Sequence, residues 1–531
     1  MNKVSECYVP MRDGVELCTL IQLPAAGPLP TVVKRTPYAS MITDFAALEA
    51  EDTHGYAVVT QYCRGTSRSG GECNAYLNER ADGLDLLEWV RKQPFYNGEL
   101  FLWGASYLST VHFSYLDTDP PDVKAAYLAV QDTERYNICY RNGFFKPGLH
   151  GKWALDMHLR NQPIRRDYTI DSFRTMPLAG LTETVFGQKV PYLEETFLHP
   201  DPDDPYWRTP EAGSDLHDVC SRCSVPIMLV TGFYDIYTGG VFDMWRRLTP
   251  ERRSKCALIV TPFEHACDPD PELVSEELRD FVPDGCLSTT APGLCWNWFN
   301  HFRLGTPLPF ASLGKTTYYR LWDHRWLTAD ELVNASECEE WRLDADRRLT
   351  PGAAAAGEIT YTYNPYDPAP FAGGVCNNFG GLKYQDGPNS RYDIVSFVSD
   401  PLEHDRVCEG RIEVELHCRS TAEDTCFYIR LDLVRDGKTL SLRDDIDSVR
   451  RHAPEYRPGE ECVIRYTLAP HAFRLQSGDR LRLDVSSSCV PHFQVHTNRP
   501  GLQALHRTAR SCRNTVITGS SLVRLFVRRE R

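Results

Sequence analysis

The sequence predicts a protein of the α/β class in which a mainly parallel, helix-covered sheet is followed by a separate all-β domain. Three observations lead to this prediction. Strand and helix patterns alternate over residues 1–130, two buried-strand patterns follow a long interruption, and residues 310–531 alternate apolar with polar side chains. At 531 residues the chain is too long for one hydrophobic core, so we expect more than one domain.

The first 130 residues contain a strand–helix–strand unit. Residues 31–35, 57–61 and 100–103 are short apolar runs of strand length. Between the last two, apolar residues recur at helical spacing over residues 79–93. This order predicts parallel strands, because a parallel strand needs a crossover connection such as a helix.

Residues 131–222 interrupt this rhythm and are rich in aromatic side chains, which favours a helical cap inserted into the sheet domain. The sheet resumes with two buried-strand patterns at residues 227–231 and 257–261, each followed directly by polar or Gly and Pro residues. We therefore expect residues 1–130 and 223–309 to form one core, with the cap as a wall of its pocket.

The C-terminal region, residues 310–531, shows a period of two. Apolar side chains alternate with polar ones at 412–416, 427–433, 481–485 and 522–526. Turn residues such as Asp436-Gly437 separate these segments. The pattern predicts an antiparallel β-sandwich.

The composition argues against nucleic-acid and membrane partners. The formal charge of −14, without a basic cluster, argues against nucleic acid. No stretch is long and apolar enough for a membrane span or signal peptide, so we expect no membrane partner and a cytoplasmic location. The 19 cysteines are irregularly spaced, which predicts reduced, buried thiols. Cys220 and Cys223 form a Cys-x-x-Cys pair, but no second pair completes a zinc site.

The segment around Ser106 has the pattern of a nucleophile elbow. The apolar strand Leu100–Trp103 runs through Gly104 and Ala105 into Ser106 and then into a helical pattern. Such a turn exposes the serine hydroxyl, and small residues before it let the backbone segments approach closely. The N–H of Tyr107 then points to where an oxyanion would form. An ordinary buried strand end is the alternative interpretation.

Two further residues follow strands in the order that a serine–acid–histidine triad requires. Asp235 comes after the strand at 227–231, and His265 comes after the strand at 257–261. A neutral histidine can accept the serine proton, and a buried carboxylate fixes its tautomer. Taken singly, Asp235 could cap a helix and His265 could be a surface residue. Their order behind Ser106 favours the triad of an α/β-hydrolase.

Several motifs resemble those of the cocaine-esterase-like (CocE/NonD) hydrolases, which share their architecture with X-Pro dipeptidyl-peptidases and α-amino-acid ester hydrolases. The resemblance runs nearly from end to end. The motifs that carry it are Met11-Arg12-Asp13-Gly14, Arg35-Thr36-Pro37-Tyr38, Arg64-Gly65, Asp82-Gly83, the elbow, and Asp484-Val485-Ser486-Ser487-Ser488.

The resemblance implies an α/β-hydrolase core with an inserted helical cap, a C-terminal jelly-roll β-sandwich, and hydrolysis without a metal or organic cofactor. The family elbow reads Gly-x-Ser-Tyr-x-Gly, and Ser109 stands here where its last glycine is expected. The tyrosine of the family's Arg-Thr-Pro-Tyr loop donates its hydroxyl to the oxyanion. This role falls on Tyr38, beside the N–H of Tyr107, with a packed aromatic side chain as the alternative for Tyr38.

We expect Ser106, with His265 as base and Asp235 as its orienter, to cleave an ester or amide of a small-molecule or peptide substrate through an acyl-enzyme. One alternative, which the resemblance permits, is an α-amino-acid ester hydrolase or a peptidase that removes N-terminal dipeptides ending in proline. The peptidase needs carboxylates to bind a free amine. The candidate carboxylates are Asp132, Glu134, Asp156 and Glu264. Another is a non-catalytic binding protein. The natural substrate and the oligomeric state, a homo-oligomer included, stay open.

Overall fold

Residues 1–130 form the first part of an α/β sheet domain. The structure is a computed structural model that describes residues 1–39, 45–159, 170–208, 218–265, 293–323, 325–376 and 380–528. The first elements are β1 (Lys3–Pro10), β2 (Glu16–Leu23), β3 (Leu29–Thr36), α1 (Phe45–Ala50), β4 (Ala57–Tyr62), α2 (Glu79–Arg91), β5 (Tyr96–Ala105), α3 (Tyr107–Leu116) and β6 (Val123–Ala129). The three strands and the helix predicted here correspond to β3, β4, β5 and α2.

Residues 131–222, where described, consist of short helices and one small hairpin. These elements are α4 (Arg135–Cys139), β7 (Tyr140–Arg141), β8 (Phe144–Phe145), a π-helical turn (Pro147–Gly151), α5 (Lys152–Leu159), a 3₁₀ turn (Ile170–Arg174), α6 (Leu181–Phe186), α7 (Pro191–Thr196), a second 3₁₀ turn (Pro205–Trp207) and α8 (Val219–Arg222). Aromatic rings dominate the apolar cluster that this insertion forms with loops of the sheet domain.

The sheet domain continues after the insertion. Its further elements are β9 (Ile227–Gly232), α9 (Thr238–Arg247), α10 (Pro250–Arg253), β10 (Ala257–Thr261), α11 (Gly293–Leu304), β11 (Thr316–Arg320) and β12 (Arg325–Ala329). One ten-stranded sheet has the order β1-β2-β4-β3-β5-β6-β9-β10-β11-β12. Neighbours from β4 to β11 pair in parallel. Strands β4, β9 and β10 are buried along their whole length, which explains their continuous apolar sequences.

The first sheet extends past the predicted boundary between residues 309 and 310. Strand β11 pairs in parallel with β10, and β12 pairs antiparallel with β11. Both strands lie in the segment that periodicity assigned to the C-terminal domain. The physical reason is that a five-residue strand is too short for its pattern to show which sheet it joins.

The remaining strands form an all-β domain. Its elements are β13 (Glu337–Leu343), β14 (Arg348–Pro351), β15 (Gly357–Tyr363), β16 (Tyr384–Gln385), β17 (Val395–Ser399), β18 (Arg406–Ser420), β19 (Cys426–Arg435), β20 (Lys438–Ser448), α12 (Val449–His452), β21 (Cys462–Leu475), β22 (Arg480–Ser486), β23 (Cys512–Thr518) and β24 (Leu522–Arg528). These strands belong to one twelve-stranded network of largely antiparallel ladders. Burial alternates along β18, as the period of two predicts. The jelly-roll topology stays a prediction.

The all-β domain packs against the loops at the carboxyl ends of the parallel strands. The hydroxyl of Tyr234 donates to the carbonyl of Ser441 over 2.9 Å. From the insertion, Arg141 pairs with Asp445 over 2.7 Å. Because both partners in the all-β domain lie on β20, this strand joins the domain to the sheet and to the insertion.

The described cysteines form no disulfide, and most are buried, as predicted. Cys220 and Cys223 are among the buried ones. Burial raises the pKa of the Cys223 thiol to about 11, so it is protonated at neutral pH. In the described ranges, no helix combines the length and apolar character that a membrane crossing requires.

Candidate active site

Ser106 lies in the sharp turn between β5 and α3. Its φ of 55° and ψ of −129° are strained values for an L-residue and match the geometry expected at a nucleophile elbow. The turn brings β5 so close to α3 that a Cβ on Gly104 would lie 2.2 Å from the carbonyl oxygen of Leu108. Position 104 therefore needs glycine for this turn to form.

The loops after β9 and β10 carry Asp235 and His265 and are bonded to each other. The N–H of Tyr234 donates to the carbonyl of Phe263 over 3.1 Å. A Cβ on Gly232 would lie 2.1 Å from the same carbonyl oxygen, so glycine permits the close approach. Since β9 and β10 are parallel neighbours, both loops leave the sheet at its carboxyl edge, where Ser106 also lies.

The structure brings Ser106, His265 and Asp235 together in one hydrogen-bonded chain. Ser106 Oγ lies 2.9 Å from His265 Nε2, and His265 Nδ1 lies 2.9 Å from Asp235 Oδ1. The fully buried Asp235 carboxylate also accepts from the hydroxyl of Thr231 over 2.8 Å and from the N–H of Tyr237 over 3.3 Å. Because an ionised carboxylate can only accept, Nδ1 carries the proton, and Nε2 is left to accept the proton of Ser106.

Tyr107, the first residue of α3, is held by a buried ion pair. Its hydroxyl donates to Glu79 over 2.7 Å, and Glu79 pairs with Arg35 over 2.6 Å. The hydroxyl of Tyr107 also accepts a hydrogen bond from the N–H of Tyr76 over 2.9 Å. The pair from β3 and α2 thus fixes the side chain of the residue whose N–H is the predicted oxyanion donor.

Tyr38 lies in the loop after β3 and meets the insertion. Its hydroxyl accepts a hydrogen bond from the indole Nε1 of Trp153 on α5 over 3.1 Å. Its ring packs against the same apolar cluster that contains Tyr107. The insertion therefore orients Tyr38 towards the region of the elbow, while its role as an oxyanion donor stays a prediction.

Aromatic rings surround the elbow and its histidine. We call five of these side chains the aromatic wall: Tyr76, Tyr107, His150, Trp153 and Tyr237. The ring of Trp153 stacks on Tyr107 at 5.2 Å and on His150 at 5.9 Å, and Tyr237 meets His265 edge to face at 5.3 Å. The wall therefore offers flat apolar surfaces next to the hydrogen-bonded chain.

Of the four acidic side chains considered for amine binding, Asp132 and Asp156 already have hydrogen-bond or ion-pair partners, and Glu134 stands just before α4. Asp132 is buried and accepts from the side-chain amide of Asn137 over 2.9 Å. Asp156 pairs with Lys152 one helical turn away over 2.5 Å. Glu264 lies beside Gly381 of the all-β domain. None of these three contacts is with the aromatic wall.

Sequence reasoning missed how the elbow is attached to the sheet. Ser109, at the position of the family's last elbow glycine, donates through Oγ to the carbonyl of Ala129 over 2.9 Å and accepts from the Ala129 N–H over 3.0 Å. This pair of bonds joins α3 to the end of β6. The sequence signal was the retained small residue, but its partner lies 20 positions away and follows from the fold.

Comparison with known proteins extends these observations along most of the chain. Residues 13–267 match the family model described as X-Pro dipeptidyl-peptidase (S15 family). Residues 314–522 match the model of the X-Pro dipeptidyl-peptidase C-terminal non-catalytic domain. The chain belongs to the S15 family. This S15 chain is a serine hydrolase, as the sequence predicts.

Individual relatives match the S15 chain over nearly its whole length. Cocaine esterase from Rhodococcus sp. (strain MB1 Bresler) is 24% identical, with 96% of this chain and 94% of the relative covered. The solved structure of an α-amino acid ester hydrolase superposes with a TM-score of 0.82 at 20% identity, covering 99% and 97% of the two chains. A CocE/NonD family hydrolase from Staphylococcus aureus gives 0.67 at 14% identity, covering 99% and 94%. At these identities the two structures show a shared fold.

Proposed function

We propose that this S15 serine hydrolase is a carboxylesterase that forms an acyl-enzyme on Ser106. The observation that carries the proposal is the chain of two 2.9 Å hydrogen bonds from Ser106 through His265 to the buried Asp235. All three residues follow parallel strands of one sheet, β5, β9 and β10, so the scaffold fixes their relative positions. The geometry supplies a nucleophile, a base and the group that orients the base.

The proposed reaction begins when Ser106 Oγ attacks the ester carbonyl carbon and His265 Nε2 takes the hydroxyl proton. The carbonyl π electrons move to the oxygen, which the N–H of Tyr107 and the hydroxyl of Tyr38 stabilise. When the tetrahedral intermediate collapses, the ester C–O bond breaks and His265 returns the proton to the leaving alkoxide. A water molecule then attacks the acyl-enzyme in the same way, with His265 again as base and then as acid. Asp235 stabilises the imidazolium that forms in both the acylation and the deacylation step.

The aromatic wall favours an acyl group that is apolar or aromatic. The ring of Trp153 stacks on Tyr107 at 5.2 Å and meets Tyr76 at 5.7 Å with a tilt of 35°, so the three rings form one aromatic surface. An aromatic ring of a substrate gains both apolar burial and ring contacts on such a surface. A free ammonium group would lose its hydration there, which is costly unless a carboxylate pairs with it. The relative named cocaine esterase is consistent with ester substrates for this chain.

Dipeptidyl-peptidase activity is the second candidate, and the name of the matching family model favours it. It requires carboxylates that bind the substrate's free α-amine. Asp132 accepts from Asn137, and Asp156 pairs with Lys152. These existing contacts weigh against the peptidase and for the esterase.

A matched pair of esters separates the candidates. Methyl phenylacetate and methyl phenylglycinate differ in a single α-amino group, and glycyl-prolyl 4-nitroanilide is the peptidase substrate. We expect kcat/KM to be at least about tenfold higher for methyl phenylacetate, which corresponds to about 1.4 kcal/mol of unfavourable ammonium burial. Ser106→Ala is the control for background hydrolysis. Preference for phenylglycinate or the anilide would overturn the esterase assignment, and no turnover of any substrate by folded protein would favour a binding protein.

A further inference from the structure

The all-β domain contains a buried group of three metal-ligand side chains. Asp444 lies on β20, and Cys489 and His492 lie in the loop after β22. One donor atom from each of the three lies within 4.8 Å of the other two. All three side chains are buried. Thiolate, imidazole and carboxylate are the ligand types that zinc takes in proteins, and zinc sites use three or four of them.

Neighbouring groups hold the carboxylate of Asp444 in place. The N–H of Val375 donates to Oδ1 over 2.9 Å, and the hydroxyl of Tyr428 donates to Oδ2 over 3.1 Å. Gly374 permits this approach, since a Cβ there would lie 2.6 Å from Oδ1. Hydrogen-bond donors in this arrangement orient a ligating carboxylate and still leave lone pairs for a metal.

Zinc binds the deprotonated forms of these three donors. A bound divalent cation would therefore favour the thiolate of Cys489 and the carboxylate of Asp444, with the Cys489 proton released to solvent.

The cationic side chain of Arg430 is held by two buried carboxylates. Its Nε donates to Asp432 over 2.9 Å, and its Nη2 donates to Asp484 over 2.9 Å. Arg482 pairs with the same Asp484 over 2.6 Å, so two arginines and two aspartates form one buried cluster with no formal net charge. The two carboxylates reduce the repulsion that Arg430 exerts on a cation beside Asp444.

We propose that Asp444, Cys489 and His492 bind one Zn²⁺ ion, with solvent as the fourth ligand. A cavity of about 210 Å³ between the insertion and the all-β domain is lined by Asp444, Val375 and Phe493, so it reaches the carboxylate of the group. The cavity wall also carries Arg141, Lys146 and Arg443 beside three further carboxylates. On its other side the group is apolar, with Phe371 and Tyr428 in the same cluster as Cys489.

The site has a structural consequence for the insertion. The carbonyl of Pro491, between two of the ligands, accepts from the N–H of Gly148 over 2.9 Å, and the N–H of Gln494 donates to the carbonyl of Phe145 over 2.9 Å. These bonds hold the π-helical turn that carries His150 of the aromatic wall. An ion that connects Cys489 and His492 to β20 therefore stabilises the contact between the insertion and the all-β domain.

Cobalt is the probe for this site. Chelator-treated full-length protein is titrated with Co²⁺, and thiolate-to-cobalt charge-transfer and d–d absorption are followed together with equilibrium dialysis. We expect one equivalent in the wild-type protein, displaced by one equivalent of Zn²⁺, and a melting temperature that rises with added Zn²⁺. Cys489→Ser should lose the thiolate-to-cobalt absorption or the bound equivalent of cobalt, and so should His492→Gln. Both variants should keep the far-ultraviolet circular dichroism of the wild type.

Cys426→Ser is the matched control, because Cys426 is a buried cysteine of the same cluster outside the donor group. This variant should keep the bound equivalent and the cobalt spectrum. Absence of a bound equivalent in folded wild-type protein would overturn the proposal. An equivalent and spectrum that survive both Cys489→Ser and His492→Gln would also overturn it, since the ion would then lie elsewhere.

Discussion

The carboxylate of Glu79 accepts a hydrogen bond from the hydroxyl of Tyr107 over 2.7 Å while its other oxygen pairs with the fully buried Arg35 over 2.6 Å. The bond joins α2 to the first residue of α3. The residue that follows Ser106, the proposed nucleophile, is therefore positioned by an ion pair in the core of the sheet domain. Stability and catalysis share this pair, so its removal should affect both.

Glu79→Gln should lower the free energy of unfolding by about 3 kcal/mol, because it leaves the charge of Arg35 without its nearest buried partner. Urea denaturation measures this change. Glu88→Gln on the same helix removes an exposed pair with Lys92 and should cost less than about 1 kcal/mol. Equal losses of unfolding free energy in the two variants would show that the buried pair stabilises the protein no more than the exposed pair does.

Tyr38→Phe should lower kcat by about 10²-fold with a smaller change in KM, because the hydroxyl is proposed to act on the transition state. Steady-state kinetics with an ester separates the two constants. Trp153→Phe keeps that hydroxyl and removes the indole N–H that donates to it. It should have the smaller effect on kcat. Unchanged kcat in Tyr38→Phe would leave Tyr38 as a packing residue.

Gly104→Ala should abolish the elbow, because the added Cβ would lie 2.2 Å from the carbonyl oxygen of Leu108. Overpacking of this kind costs about 1–3 kcal/mol or more, and here it displaces the nucleophile as well. The comparison is Gly387→Ala, where no atom lies within 4 Å of the new Cβ. Thermal melts and activity together test this, and an active, stable Gly104→Ala protein would contradict the strained turn.

Acid should destabilise the protein through buried neutral histidines. Burial lowers the pKa of His112 and His150 to about 3. Below the unfolded pKa of about 6.5, the unfolded chain binds protons that the folded protein does not, so stability falls as pH falls through this window. Each histidine contributes about 1.4 kcal/mol per pH unit.

The variant His150→Phe isolates one of these contributions, since the phenylalanine would join the aromatic wall. Its unfolding free energy, measured between pH 6 and 4, should depend on pH less steeply than that of the wild type by about 1.4 kcal/mol per unit. His404→Gln, at an exposed position, should leave the slope unchanged. An unchanged slope in His150→Phe would mean that His150 is protonated in the folded protein.

The catalytic candidates were accessible from the sequence because each stands directly after a strand. A parallel sheet collects the ends of its strands at one edge, so Ser106, Asp235 and His265 become neighbours although they are far apart in the chain. Strand patterns identified β5, β9 and β10 because β9, β10 and the second half of β5 are buried on both faces. Local sequence patterns and the rule for parallel sheets were together sufficient to predict that these three residues lie close together.

Contacts between distant segments could not be predicted in the same way. Glu79 meets Tyr107 across 28 residues, and Asp444 meets Cys489 and His492 from a different strand. No spacing rule links such residues, because their proximity depends on how helices and loops pack on the sheets. The same limit explains why β11 and β12 were grouped with the C-terminal strands. The pairing of β11 with β10, to which β12 then adds, depends on the crossover through α11.

Active-site labelling tests the central claim that Ser106 is the nucleophile. Full-length protein is treated with a fluorophosphonate, and the modified peptide is identified by mass spectrometry. We expect one phosphonylated residue, Ser106, no labelling of Ser106→Ala, and a fall in kcat of that variant by about 10⁶-fold. Ser114→Ala on the same helix should be labelled like the wild type. Labelling or robust esterase activity in folded Ser106→Ala would contradict the account.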